Sequence, residues 1–160
     1  MNLSLTPLRV LAVVALAALA TAIWAATRRR WVDVATLVPG TTLSWVMVHV
    51  AKAAYDRDRP DGGLVDVSLS AYPSGHTAYA VTLVACATIM VRAGSGWAAR
   101  FAAVTVAIGL VVLVGLTRVY LRVHHLTDVL GGAALGVAIW ALLGTVALVA
   151  GHVRHNERVA

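Results

Sequence analysis

An all-α bundle of about five membrane-spanning helices, formed as one domain over residues 1–160, is the fold class this sequence predicts. Three observations carry that expectation. The chain has 60% hydrophobic and 12% charged residues in a length of 160, with a mean hydropathy of +0.83. It is too apolar for a soluble domain and too short for two domains. Its apolar residues also gather into five runs, at about Leu8 to Ala26, Val32 to Ala54, Thr77 to Val91, Ala98 to Leu116 and Leu126 to Val149. Each run is near the length that crosses about 30 Å of hydrocarbon. Finally, no repeat, low-complexity tract or interdomain linker interrupts them.

The first run ends in small residues near Ala20, Ala22 and Ala25, as a secretory leader would, but Arg28, Arg29 and Arg30 follow immediately. That triplet resists translocation, so a retained helix is expected. In the second run Pro39-Gly40 predicts a kink or a shallow break. The third is only marginally long; it is accepted as a crossing because His76 and Arg92 can lie at its ends and its neighbours bury it. It holds the single cysteine, Cys86, read as a small core filler rather than a functional thiol. The fifth carries Gly132 and Gly136 as G-x-x-x-G, a signal for close packing against a neighbouring helix.

The formal charge of +6 and the pI near 10.5 do not point to nucleic acid, because the basic residues cluster at the ends of apolar runs rather than on an aromatic-studded polar surface. They report orientation instead. Arg28, Arg29, Arg30, Arg92, Arg100, Arg154 and Arg158 fall in alternate loops and the tail, all on one side. Lys52, Arg57, Arg59, Arg118 and Arg122 fall on the other, where they contravene the positive-inside rule unless they serve a site. The second side and the N-terminus are therefore placed outside, in a multi-pass plasma-membrane protein.

Three polar stretches lie on that outer side: K-A-A-Y-D-R-D-R-P from Lys52, P-S-G-H from Pro73, and T-R-V-Y-L-R-V-H-H-L-T-D from Thr117. Ser74 is well placed to cap the third helix, and Gly75 allows close backbone approach, so this corner suits a phosphate oxygen, as it equally suits an ordinary turn and cap. His76, one turn away, is a candidate proton donor. His124 and Asp128 are four apart and stack on one face if helical, leaving one imidazole nitrogen free as base or nucleophile; the plainer alternative is a capping pair. Lys52, Arg59 and Arg118 supply a point charge and two forks for phosphate oxygens. A lone cation at a helix end more often snorkels to the headgroups, but that does not explain several converging on the cation-poor side. Arg57, Arg122, Asp56, Asp58, Asp61 and Asp66 are read as solvated loop charges, His49 as a packing residue near the site, and His125 as pointing elsewhere. No carboxylate pair or His/Cys cluster has metal-ligand spacing, so neither metal nor cofactor is expected.

Laid out in order, K-x6-R-P, P-S-G-H and R-x5-H-x3-D resemble the type 2 phosphatidic acid phosphatase (PAP2) superfamily, which also includes vanadium-dependent haloperoxidases. The resemblance covers about residues 45 to 140. It implies that Lys52, Arg59 and Arg118 cradle the phosphoryl oxygens with Ser74 and the Gly75 amide. It further implies that His124 attacks phosphorus to form a phosphohistidine, that Asp128 orients His124, and that His76 protonates the leaving group. Two residues depart from the pattern: Thr117 stands where Ser usually precedes the motif arginine, and Leu126 where Pro commonly follows the histidine pair. Many bacterial relatives have six helices, so the expectation is either a five-helix member or a late start.

The expected activity is hydrolysis of a phosphomonoester or diphosphate of a lipid: a polyprenyl phosphate or diphosphate, phosphatidylglycerol phosphate or phosphatidic acid. The alternative is a non-catalytic anionic-lipid binding or transport component, which His76, His124 and Asp128 argue against because binding alone needs no nucleophile and acid. The composition, rich in Ala, Val, Leu and Arg, suggests a bacterial source.

Overall fold

The computed structural model describes residues 6–65, 67, 69–92 and 96–157. Asp66 and Arg158 lie outside these residues, as does the side chain of Arg154. The described residues form five helices and no strand: α1 (Thr6–Thr27), α2 (Trp31–Tyr55), α3 (Gly75–Arg92), α4 (Trp97–Tyr120) and α5 (Leu126–Asn156). Each helix extends past its apolar run at one end or both. A long cationic side chain lets a helix continue from the apolar core into the headgroup zone. Lys52 and Arg118 consequently sit in the last turns of α2 and α4.

Four helices are long and apolar enough to cross a membrane: α1, α2, α4 and α5. The fifth, α3, packs against all four others. This position explains its weaker hydropathy, because a helix enclosed by protein needs no lipid-facing surface. Gly75, every residue from Thr77 to Thr82, Cys86 and Ile89 are buried on it. Large apolar side chains such as Leu16, Ile23, Val38, Ile108, Leu113 and Leu142 point outward instead, over half exposed. An apolar exterior of this kind is the surface a bilayer solvates.

Small residues bring the helices together. Gly132 and Gly136 do lie on a close contact, against α3. A Cβ at Gly132 would collide with the Ser74 carbonyl, and one at Gly136 would lie 2.9 Å from Val81 Cβ and 3.0 Å from the Ala78 carbonyl oxygen. Of the two outcomes expected at Pro39-Gly40, a break does not occur, since α2 runs continuously through both residues. Gly40 serves packing instead: a Cβ there would stand 2.5 Å from Trp140 Cη2. Trp140 packs in turn on a cluster of Ala18, Ala22, Leu37, Cys86 and Ile89, so Cys86 is a buried free thiol in the core.

Two hydrogen-bonded junctions define the ends of the bundle. At one, Arg30 Nη1 donates to the Ile89 carbonyl at 3.2 Å and pairs with Asp33 at 2.5 Å. At the other, the 56–74 connection meets the 121–128 segment through Leu64 N–H to Leu121 O at 3.0 Å and Ser74 N–H to Asp128 O at 2.9 Å. All three polar stretches lie at this second end.

Candidate active site

The site begins where α2 stops. Asp56 adopts a left-handed conformation (φ 36°), and its N–H donates to the Lys52 carbonyl. Asp tolerates that region better than most residues, so the helix is closed without glycine. Beyond it, Pro60 disfavours helical geometry at Arg59, and the extended chain turns alternate side chains to the same side. Arg57 and Arg59 therefore both reach the segment leading into α5.

Backbone carbonyls hold the cations. Lys52 Nζ donates to the Ser70 carbonyl. Arg59 donates through Nε to Leu69 O at 2.9 Å and through Nη1 to Val123 O at 2.5 Å. Ser70 ties this arrangement to the chain, its Oγ accepting the Arg57 N–H at 2.9 Å while the Ala71 N–H donates to Arg57 O at 2.8 Å. Among the described residues neither Lys52 nor Arg59 forms an ion pair with a carboxylate. Orientation is thereby supplied by neutral partners, and the positive charge stays available to an anion. Arg118 is freer still: its side chain makes one long bond, Nε to Thr117 Oγ1 at 3.5 Å.

Asp128 is fully buried and lies in the first turn of α5. Its Oδ2 accepts the His125 N–H at 2.8 Å, the return bond from the third helical position to the cap residue. Oδ2 also faces His124 Nδ1 at 3.6 Å and His125 Nδ1 at 3.4 Å. On the other oxygen, Oδ1 accepts from Arg57 Nη1 at 2.8 Å, while the same nitrogen donates to Thr127 Oγ1 at 2.7 Å. His124 precedes the helix, so the expected helical stacking is not how it meets Asp128. The carboxylate instead reaches back across the helix start, as caps do.

These groups surround a cavity of about 320 Å³. Lys52, Arg59, Gly75, His76, Arg118 and His124 line its polar end; Val10, Leu11, Val48 and Tyr79 form apolar walls from α1, α2 and α3. The volume is at the small end of ligand sites. Ser74 and Asp128 are fully buried and do not line the cavity. Ser74 Oγ accepts from Thr77 Oγ1 at 3.1 Å, and its carbonyl accepts the Ala78 N–H, the bond of an N-cap residue. Its contribution is to fix the start of α3, which presents Gly75.

Electrostatics at the site favour an uncharged imidazole and an incoming anion. His124 is pushed down to about 3 by burial first and then by Arg59 and Lys52, with Asp128 and a backbone contact to Ala71 opposing. It is therefore neutral at pH 7, with its lone pair available. Burial also weighs against the charge of Arg59, Asp128 opposing. His76 Nε2 and His124 Nδ1 are buried without hydrogen-bond partners, so both rings retain unspent capacity.

Six of the eight expected site residues thus share one cavity, and the other two support it from behind. Two readings need correction. Arg57 is a ligand of Asp128 rather than a solvated loop charge. His125 does not point away, since its ring and amide both approach Asp128. His49 lies at the cavity as a packing residue near the site, its ring centroid 4.6 Å from that of Trp45, although it is exposed. Ser70 was not singled out at all. For Arg57 a signal existed, the two-residue spacing from Arg59 before a proline; for Ser70 there was none.

A cation-lined pocket at one end of an apolar helical bundle marks this chain as a multi-pass membrane protein. The PAP2 superfamily model matches residues 33–150, and the chain belongs to that superfamily. It is 38% identical over 97 residues to phosphatidylglycerophosphatase B of Bacillus subtilis, covering 59% of this chain and 48% of that protein. It is 37% identical over 106 residues to lipid A 1-phosphatase of Porphyromonas gingivalis, covering 64% of this chain and 21% of that one. The chain thus spans about half the length of the first relative and about a fifth of the second. Its fold matches the crystal structure of a transmembrane PAP2 type phosphatidylglycerolphosphate phosphatase from Bacillus subtilis, with a TM-score of 0.68 and 29% identity over 84% of this chain and 67% of that one.

Proposed function

We propose that this chain hydrolyses a lipid phosphate or diphosphate through a phosphohistidine on His124, at a site opening on the extracytoplasmic face of the plasma membrane. The observation that carries this reading is the cavity, where three cations held by neutral partners and two imidazoles with unspent nitrogens share a polar end, and apolar walls lead away. Binding an anion requires only the cations; the imidazoles are what turnover adds.

In this mechanism Lys52, Arg59 and Arg118 hold the phosphoryl oxygens and stabilise the charge that spreads over them in the transition state. Nδ1 of His124 faces Asp128, so Nε2 attacks phosphorus as the bond to the lipid oxygen breaks. A shortening of the 3.6 Å gap to Asp128 by a few tenths of an ångström makes Nδ1–H a donor to Oδ2, stabilising the cationic ring. Catalytic hydrogen bonds are commonly long before substrate arrives. His76, protonated as the phosphoryl anion enters beside it and offsets the neighbouring cations, gives its proton to the departing oxygen, then takes one from the water that attacks the phosphohistidine. Inorganic phosphate leaves and His124 returns to its neutral form. The relatives' names support phosphatidylglycerol phosphate and lipid-linked sugar phosphates as substrates; polyprenyl diphosphates and phosphatidic acid share the same headgroup chemistry.

The test is phosphate release in detergent with EDTA present, from phosphatidylglycerol phosphate, phosphatidic acid and a polyprenyl diphosphate, comparing wild type with His124→Ala. Release by wild type alone is expected. Equal lipid binding by both proteins with no release by either overturns the reading in favour of a lipid-binding component. Release that requires added metal overturns its metal-independent form.

A further inference from the structure

We propose that Arg57 is a positioning residue for the His124–Asp128 pair, holding one carboxylate oxygen so that the other is presented to His124. This inference rests on the phosphatase reading of the same site. Asp128 is completely buried, and its two oxygens are used differently. Oδ2 is shared among the His125 amide, the His124 ring and the His125 ring, whereas the side-chain donor on Oδ1 is Arg57, at 2.8 Å. Without that donor the carboxylate is free to turn about its terminal torsion, which is broad and twofold, and His125 competes for it with His124.

Arg57 does not act by touching the ligand. It is absent from the cavity lining, and its side chain is 40% exposed. Its backbone is fixed independently, by the two bonds that tie it to Ser70 and Ala71, so the guanidinium is aimed rather than loosely placed. Thr127 Oγ1, 2.7 Å from the same nitrogen, adds a second anchor.

Charge gives Arg57 a second effect. His124 shares the cavity with Lys52 of α2, Arg59 of the connection, His76 of α3 and Arg118 of α4, and meets Asp128 and His125 at the start of α5. Asp128 is the one carboxylate among these groups. By offsetting its charge, Arg57 limits how strongly Asp128 favours protonated His124 and so keeps the ring neutral and nucleophilic. Removing the guanidinium raises the proton affinity of His124 and moves the acidic limb of the pH profile to higher pH.

The experiment compares Arg57→Ala, Arg57→Gln and Arg57→Lys with wild type, using phosphatidic acid and a polyprenyl diphosphate in detergent. Arg57→Ala is expected to lower kcat about 10- to 100-fold, the scale seen when the outer partner of a functional ligand is lost, with KM changed less than about threefold. Arg57→Lys should recover part of the loss and Arg57→Gln less. The His124 ring, followed by ¹⁵N NMR in histidine-labelled protein and assigned with His124→Asn, should titrate about one unit higher in Arg57→Ala. Unchanged kcat with an unchanged titration overturns the inference. So does a loss of activity that Arg57→Lys fails to relieve while His124 titrates normally, because that is a purely structural defect. If wild type releases no phosphate from either probe, the phosphatase reading fails instead, and the His124 titration still decides the role of Arg57.

Discussion

At the residue scale the chemistry rests on two imidazoles with different surroundings. His124→Ala removes the proposed nucleophile and is expected to cost at least about 10³-fold in kcat, since the loss of a nucleophile that works as part of a unit has reached about 10⁶-fold. His76→Asn removes the proposed proton donor and should cost about 10²- to 10⁴-fold, least for substrates whose leaving group is itself a phosphate; phosphate-release kinetics measure both. Stability should also depend on pH through His124. Its proton affinity lies at about 3 in the folded protein against an ordinary 6.5, so between these values the unfolded chain binds more protons. Stability therefore falls as pH drops from about 6.5 towards 3. Thermal unfolding in detergent should show a shallower decline for His124→Asn, and an equal decline would contradict the neutral, buried ring. Most of this site was legible because its residues recur at fixed spacings inside short polar stretches. Arg57 was misread because its partner is 71 positions away and the sequence alone does not show which loop charge meets a buried carboxylate. Ser70 escaped because it holds Lys52 through its carbonyl, which any residue possesses, and because its Oγ meets the Arg57 amide 13 positions away.

Helices and their contacts determine whether those residues meet. Gly132 of α5 lies against the backbone of Ser74, where an added Cβ would also stand 3.1 Å from the Ser74 carbonyl carbon and 3.3 Å from its nitrogen. Backbone yields little, and this nitrogen donates to the Asp128 carbonyl. Gly132→Ala should therefore destabilise by about 1–3 kcal/mol and lower activity along with stability. Gly144→Ala is the matched control on the same helix: its Cβ meets nothing within 4 Å, so the substitution should be neutral or stabilising by up to about 1 kcal/mol. Melting temperatures of the two variants in one detergent check the pair. The five elements and their order were legible from apolar runs, and G-x-x-x-G from its spacing. Helix ends were less so, because Arg118 ends the apolar run without ending α4. The packing role of Gly40 was not legible because its partner, Trp140, belongs to another helix.

For the whole molecule, the two ends of the bundle carry different tasks. Exposed Trp31 and Trp97 start α2 and α4 at one end, and exposed Tyr55 and Tyr120 finish them at the other. About 24 residues separate each pair, or about 36 Å at 1.5 Å per residue, which places the rings near both interfaces of a bilayer. If the site end is outside, Asp61→Cys should react with an impermeant maleimide on intact cells and Arg28→Cys only after permeabilisation. Cys86 is buried and contributes little background. The reverse pattern would place the site inside. The central position of α3 bears on how the chain enters the membrane at all. It is missing from the helices that length and composition alone mark as spans, and every other helix contacts it. A translocon that sorts segments by hydrophobicity as they emerge thus has weak reason to release α3 into lipid by itself. Insertion of α3 should wait for α4, which follows after a connection of only four residues. Chains truncated after Arg92 should leave a C-terminal topology reporter on mixed sides, whereas chains truncated after Tyr120 should show one. The segment that delivers His76 to the cavity then owes its place in the bilayer to a helix still inside the ribosome when it emerges.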